Sequence, residues 1–219
     1  MNRAAELAKQ HWNRTPLFIG EEQRYSIYPW LYDAAEFRNH PGERVLEIGC
    51  GTGCDLLQFA KHGAHAYGID ITERHIALAK QRCGTMASVC YGDARFIPFP
   101  RGTFDYVYSH GVLHHSDQPE AIAAEIFRVL KPEGRYNVHV YSLISYHSLY
   151  LLLKFGKEWK LHIENSADPV HIDLYTMRRI KQLFPGCNLR KFYFPRIPIL
   201  APYLGWYLVV TGATPKNAQ

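Results

Sequence analysis

Three histidines fall within six positions of the stretch SHGVLHHSDQ: His110, His114 and His115. Such a cluster suits metal ligation or proton transfer. His110 and His114 stand at i, i+4, a spacing that binds zinc on a helix. However, Gly111 opens the segment, no HExxH pattern is present and no third ligand lies close in sequence, so no metal is expected. A neutral imidazole can take a proton from a phenol, hydroxyl or amine. His114 is the expected base, and the bland alternative is a packed double histidine with one ring bonded to backbone. Upstream, VLEIGCGTG places glycines at 49, 51 and 53 immediately after Glu47. Glycine permits positive φ and close approach of a ligand to the backbone. Cys54 stands where a dinucleotide fingerprint GxGxxG would have its third glycine. A carboxylate beside a pyrophosphate would repel it, so Glu47 suits a ligand carrying a cationic amine instead. Two further acids, Asp70 in YGIDIT and Asp93 in YGDARFIPF, follow later apolar runs.

The elements that position these residues alternate. Short apolar runs predict strands at Arg44–Ile48, Ala64–Ile69, Ala87–Tyr91, Phe104–Ser109 and Arg135–Tyr141. Helical patterns fall between them at Cys54–His62, Glu73–Cys83 and Gln118–Leu130, the last with Asp117 as its expected N-cap and Pro119 in its first turn. Strands alternating with helices at this spacing imply a parallel sheet covered on both faces. Glu47, Asp70 and Asp93 then stand at three successive strand ends, on the carboxyl edge where open α/β sheets bind ligands. There an acid after the second strand can accept ribose hydroxyls. Further along, Thr176–Phe184 predicts a helix capped by Thr176, and Leu189–Phe194 and Trp206–Gly212 predict two more strands.

In this order and spacing, VLEIGCGTG, GIDIT, GDARFIPFPRGTFDYV, HGVLHH and EIFRVLKPEGR resemble the class I S-adenosylmethionine-dependent methyltransferases, of the group that includes the ubiquinone/menaquinone-biosynthesis enzymes. The resemblance covers about Arg44 to Tyr141. It implies a Rossmann-like α/β fold, a seven-stranded sheet with a reversed last strand, and S-adenosyl-L-methionine as cofactor. That molecule carries an amine and a sulfonium and no phosphate, as Glu47 requires. By the family pattern Gly49 and Gly51 approach its aminoacyl part, Asp70 holds the ribose, Ile71 and Ala94 flank the adenine, and Asp93 binds the adenine amine. Ser109 and His110 are expected as backbone contacts at the methionine end. Methyl transfer needs alignment and water exclusion more than a catalytic triad. A cofactor-binding protein without transfer and a nicotinamide oxidoreductase are the rival readings.

Residues 1–40 read as an N-terminal helical cap or lid, and 41–219 as the methyltransferase-like domain with an apolar insert at about 142–170. The cap offers Trp12, Phe18, Tyr25, Tyr28, Trp30 and Tyr32, with Tyr25 and Tyr28 expected to close over the cofactor. The insert adds Tyr146, Leu149–Leu153 and Phe155. This lining suits a small aromatic or lipophilic acceptor methylated on O, N or C. SHGVL stands where methyltransferases of adenine or glutamine amines usually carry [DNS]PP[YF]. The net charge is only +5 and no Lys/Arg-rich run is present, so nucleic acid is not an expected partner. Ser148–Phe155 (SLYLLLKF) and the PRIPILAPYLGWY region are candidate peripheral membrane contacts. Five cysteines without CxxC spacing, and an N-terminus lacking an apolar h-region, lead us to expect a cytoplasmic protein. Cys50 and Cys54 are expected to be structural.

Overall fold

The computed structural model describes residues 3–14, 20–164, 170–192 and 200–214. The chain opens with helices α1 (Arg3–Arg14), α2 (Glu21–Ile27) and α3 (Leu31–Ala34). Then come β1 (Arg44–Ile48), α4 (Cys54–Lys61), β2 (His65–Asp70), α5 (Glu73–Cys83), β3 (Ala87–Tyr91), β4 (Phe104–His110), α6 (Pro119–Val129) and β5 (Leu130–Tyr141). The last third holds α7 (Tyr146–Phe155), α8 (Met177–Leu183), β6 (Asn188–Phe192), α9 (Ala201–Leu204) and β7 (Tyr207–Ala213). The expected Phe18, residues 165–169 of the insert and most of PRIPIL lie outside the described residues.

The seven strands form one sheet in the order β3-β2-β1-β4-β5-β7-β6. The first five are parallel, and β7 runs antiparallel to both β5 and β6. The expected reversed last strand is therefore present. Apolar side chains alternate between faces, as the two-residue period of a strand requires. Leu46, Ile48 and Val107 pack with α6 and α8. Val45, Tyr106 and Tyr108 pack with α3, α4 and α5 on the other side. Glu47 shares the second face with Val45 and is nevertheless buried.

The same second cluster contains Leu31, Ala35 and Phe37. The later part of the N-terminal region is thus integral to the core rather than a detached cap. Thr72, Ser145 and Thr176 cap α5, α7 and α8 through their hydroxyls. The expected cap on α6 is corrected: Gln118, not Asp117, occupies the N-cap position and provides no side-chain cap, while Pro119 supplies the preset φ of the first turn. No helix among the described residues is long and apolar enough to cross a membrane.

Candidate active site

At the carboxyl ends of β1, β2 and β4 lies a cavity of about 840 Å³, walled on the far side by α1, α2 and the insert. The glycine loop turns around its rim. Gly49 has φ +68°, and a Cβ there would meet Val112 Cγ2 at 2.1 Å, so only glycine fits. Gly51 also has positive φ, but the space before it is open. Its N–H donates to Asp70 Oδ2 at 2.9 Å. Asp70 Oδ1 accepts from both the N–H and hydroxyl of Thr72 at 2.9 Å. These bonds hold the loop against the end of β2.

Glu47 lines the cavity, and its Oε2 is buried without a hydrogen-bond partner. Burial first, then the neighbouring Asp55 and Asp70 carboxylates, hold its carboxyl well above the usual range. A cationic amine would satisfy this oxygen and favour the ionised form. The residues therefore fit the aminoacyl end of S-adenosylmethionine. Asp93 also lines the cavity, engaged by Arg95 Nη2 at 2.6 Å. Burial opposes its ionisation, but the Arg95 hydrogen bonds outweigh burial and hold it below the usual carboxylate range.

Nine of the expected site residues line this one cavity: Glu47, Gly49, Gly51, Asp70, Ile71, Asp93, Ala94, His110 and Tyr28. Three do not. Ser109 is buried and its hydroxyl donates to Ile48 O at 3.3 Å. Tyr25 donates to Asp55 Oδ1 at 2.9 Å and packs beside the α4 core, away from the cavity lining. His114, the expected base, is fully buried and stacked on Tyr141 at 3.8 Å between ring centroids. Both its ring nitrogens lack partners, and burial holds its pKa well below the ordinary value. The short helical turn Leu113–His115 points it inward and turns His115 to the cavity instead.

His115 Nδ1 faces the carbonyl of His171 at 3.1 Å, and Nε2 lies 3.4 Å from Glu164 Oε1. Because a carbonyl only accepts, Nδ1 carries a proton in that bond, which leaves Nε2 facing Glu164. Tyr141 donates to the same Oε1 at 2.9 Å. Candidate ligand atoms of His114, His115 and Glu164 lie within 4.8 Å of one another, while His115 Nδ1 is bonded to the His171 carbonyl and Glu164 Oε1 to Tyr141.

Several features were not anticipated. Arg24 in α2 clamps Asp55 in α4 with two bonds, Nε to Oδ1 at 2.7 Å and Nη2 to Oδ2 at 2.5 Å. Tyr108 donates to the same carboxylate at 3.1 Å. Burial alone would raise the Asp55 pKa; Arg24 and the two tyrosines reverse it and hold it below the usual value. Nothing in local sequence spacing joins Arg24 to Asp55.

Inside β5, Asn137 and His139 are both buried. Asn137 Nδ2 donates to Ala34 O at 2.6 Å, which fixes its Oδ1 as the acceptor facing His139 Nε2 at 2.9 Å. His139 must then carry its proton on Nε2, since burial holds it neutral with a pKa lowered to about 3. Its Nδ1 is left as a lone pair, 2.9 Å from His110 Nδ1. His110 is therefore the donor at Nδ1, and its Nε2 is the unprotonated atom of a ring that lines the cavity. Burial, reinforced by Arg24 and His139, keeps His110 neutral well below the ordinary histidine range. Two polar residues in the otherwise apolar run NVHVY were the available sequence signal.

Residues 46–138 match the family model described as a methyltransferase domain. Sterol 24-C-methyltransferase ERG6B of Gibberella zeae is 35% identical over 105 residues, 45% of this chain and 28% of the relative. A demethylmenaquinone methyltransferase of Tropheryma whipplei is 31% identical over 144 residues, 62% of this chain and 58% of the relative. The chain thus spans well under two thirds of the length of these curated relatives. Phosphoethanolamine N-methyltransferase 2 of Haemonchus contortus, solved in complex with S-adenosyl-L-methionine, superposes with a TM-score of 0.69 at 16% identity. That match covers 94% of this chain and 60% of the other, and at that identity it shows the shared fold. The chain carries a class I S-adenosylmethionine-dependent methyltransferase domain. The expectation drawn from its five sequence blocks is met.

Proposed function

We propose that this protein transfers a methyl group to an O, N or C atom of a small aromatic or lipophilic metabolite. The observation that carries the reading is Glu47: a buried carboxyl with an unpartnered oxygen, beside a glycine loop open to the cavity. When bound, S-adenosylmethionine supplies an already activated methyl. Glu47 holds the amine, Asp70 and Asp93 bind at the ends of β2 and β3, and Ile71 and Ala94 supply apolar walls. The acceptor lies in the half of the cavity walled by Tyr28, Tyr141, Tyr146, Trp206 and Tyr207. A volume of about 840 Å³ lies within the usual 300–1,000 Å³ range of ligand sites.

His110 replaces His114 as the proposed base. Its Nε2 takes the proton when the acceptor is a hydroxyl, phenol or ammonium, while Nδ1 stays bonded to His139. Tyr207 stacks on the ring at 5.1 Å and restrains its tilt. The test uses methyl-labelled S-adenosylmethionine, the purified protein and an extract of its source cells. Label in the solvent-extractable fraction is expected; label only in protein or nucleic acid would overturn the acceptor class.

A further inference from the structure

The insert has two sides. Its inner side builds the acceptor half of the cavity through Tyr146, His147, Ile163 and Glu164. Its outer side is apolar. Leu149 is 53% exposed and Leu153 78%, with Tyr150 and Leu152 also exposed on α7 and Leu161 on the turns that follow. These turns, Gly156–His162, pack directly on α7. Ile144 and Tyr203 extend the surface. Lys191, itself buried, donates to the Ile144 carbonyl at 2.5 Å and to the Tyr203 carbonyl at 2.9 Å, so one ammonium holds both segments together. Scattered exposed leucines are ordinary, but a contiguous apolar surface marks an interaction site.

The charge around this surface is one-sided. Between Ile144 and Glu164 stand Lys154, Lys157 and Lys160, all exposed, against Glu158 as the only outward acid, because Glu164 faces the cavity. The exposed Lys154 places its ammonium over the rings of Tyr150 and Phe155, 5.5 and 5.0 Å from their centroids, so positive charge stands at the edge of the apolar surface. A second copy docking by twofold symmetry would bring these lysines toward one another. Anionic headgroups complement them, and acyl chains accept the leucines.

We propose that the outer face of the insert docks on an anionic membrane surface, so that a lipophilic acceptor enters the cavity past the wall the same segment forms. The delivery half of this statement rests on the lipophilic acceptor proposed above; the docking half does not. The test uses the full chain with vesicles of phosphatidylcholine alone or mixed with phosphatidylglycerol, read by co-sedimentation. Binding to the mixed vesicles, weakened by salt, is expected. L149D/L153D and K154E/K157E should each reduce partitioning roughly tenfold or more. Both variants should keep wild-type affinity for S-adenosylmethionine by calorimetry, which controls for folding. No binding to either vesicle, or equal binding by wild type and both variants, overturns the proposal. So does a wild-type dimer that L149D/L153D dissolves in the absence of vesicle binding. Failure of the methyltransferase reading would appear separately, as loss of cofactor binding in the wild type.

Discussion

At the scale of single residues, Glu47 and His110 carry opposite burdens. Glu47 is an acid buried without a full set of partners, so folding raises its pKa. The fold therefore prefers it protonated. No cost is present below the ordinary carboxylate pKa, and the cost grows as pH rises above it. E47Q should make the ligand-free protein at least as stable as wild type at pH 7, with the difference vanishing near pH 4 in thermal melts. The same change should weaken S-adenosylmethionine binding about tenfold or more in calorimetry, because it removes a hydrogen bond to a charged group. His110 is neutral with its proton placed on Nδ1 by the Asn137–His139 chain. H110Q should lower kcat about 100-fold or more for an acceptor that must lose a proton. The acid limb of the wild-type pH–rate profile should lie below the pKa of an ordinary histidine. Long-range nitrogen–proton NMR of histidine-labelled protein should find His110 Nε2 unprotonated at pH 7.

At the scale of elements, the Arg24–Asp55 clamp ties α2 to α4. Arg24 lines the cavity, Asp55 is nearly inaccessible, and Tyr25 and Tyr108 complete the carboxylate's partners. Removing one member of a buried pair leaves the other uncompensated, at about 3–5 kcal/mol. R24A should lower the urea midpoint accordingly. By contrast, the Lys9–Glu73 bridge between α1 and α5 has one largely exposed partner. Exposed pairs are worth about 0–1 kcal/mol, so K9A should leave the midpoint almost unchanged.

For the whole molecule, acid sensitivity follows from buried imidazoles. His114 and His139 are fully buried and their pKa values are lowered, His139 to about 3. Folding thus favours their neutral forms. Their stabilisation is full above the unfolded-state value of about 6.5 and is lost as pH falls below it toward the folded values. Each contributes up to about 1.4 kcal/mol per pH unit within that window. Unfolding free energy from urea titration should therefore drop between pH 7 and pH 5. H114F, which keeps a ring against Tyr141 and removes two unpartnered nitrogens, should stabilise the protein, and more at pH 5 than at pH 7. It should leave methyl transfer intact, whereas a catalytic His114 would lose it.

The glycine loop, the three strand-end acids and the βα alternation were legible in the sequence because each depends on local chemistry. Strand period, helix caps and the need for positive φ are set within a few residues. Five parallel strands then bring Glu47, Asp70 and Asp93 to one edge by topology alone. Which histidine meets the cavity was not local. It turned on one short helical turn that buries His114 in the core and turns His115 toward the cavity. Likewise the His110 tautomer depends on Ala34, Asn137 and His139, and the Asp55 clamp on an arginine from another helix. Burial and partners contributed from distant segments decide side-chain direction and protonation, and only the packed tertiary structure brings those segments together.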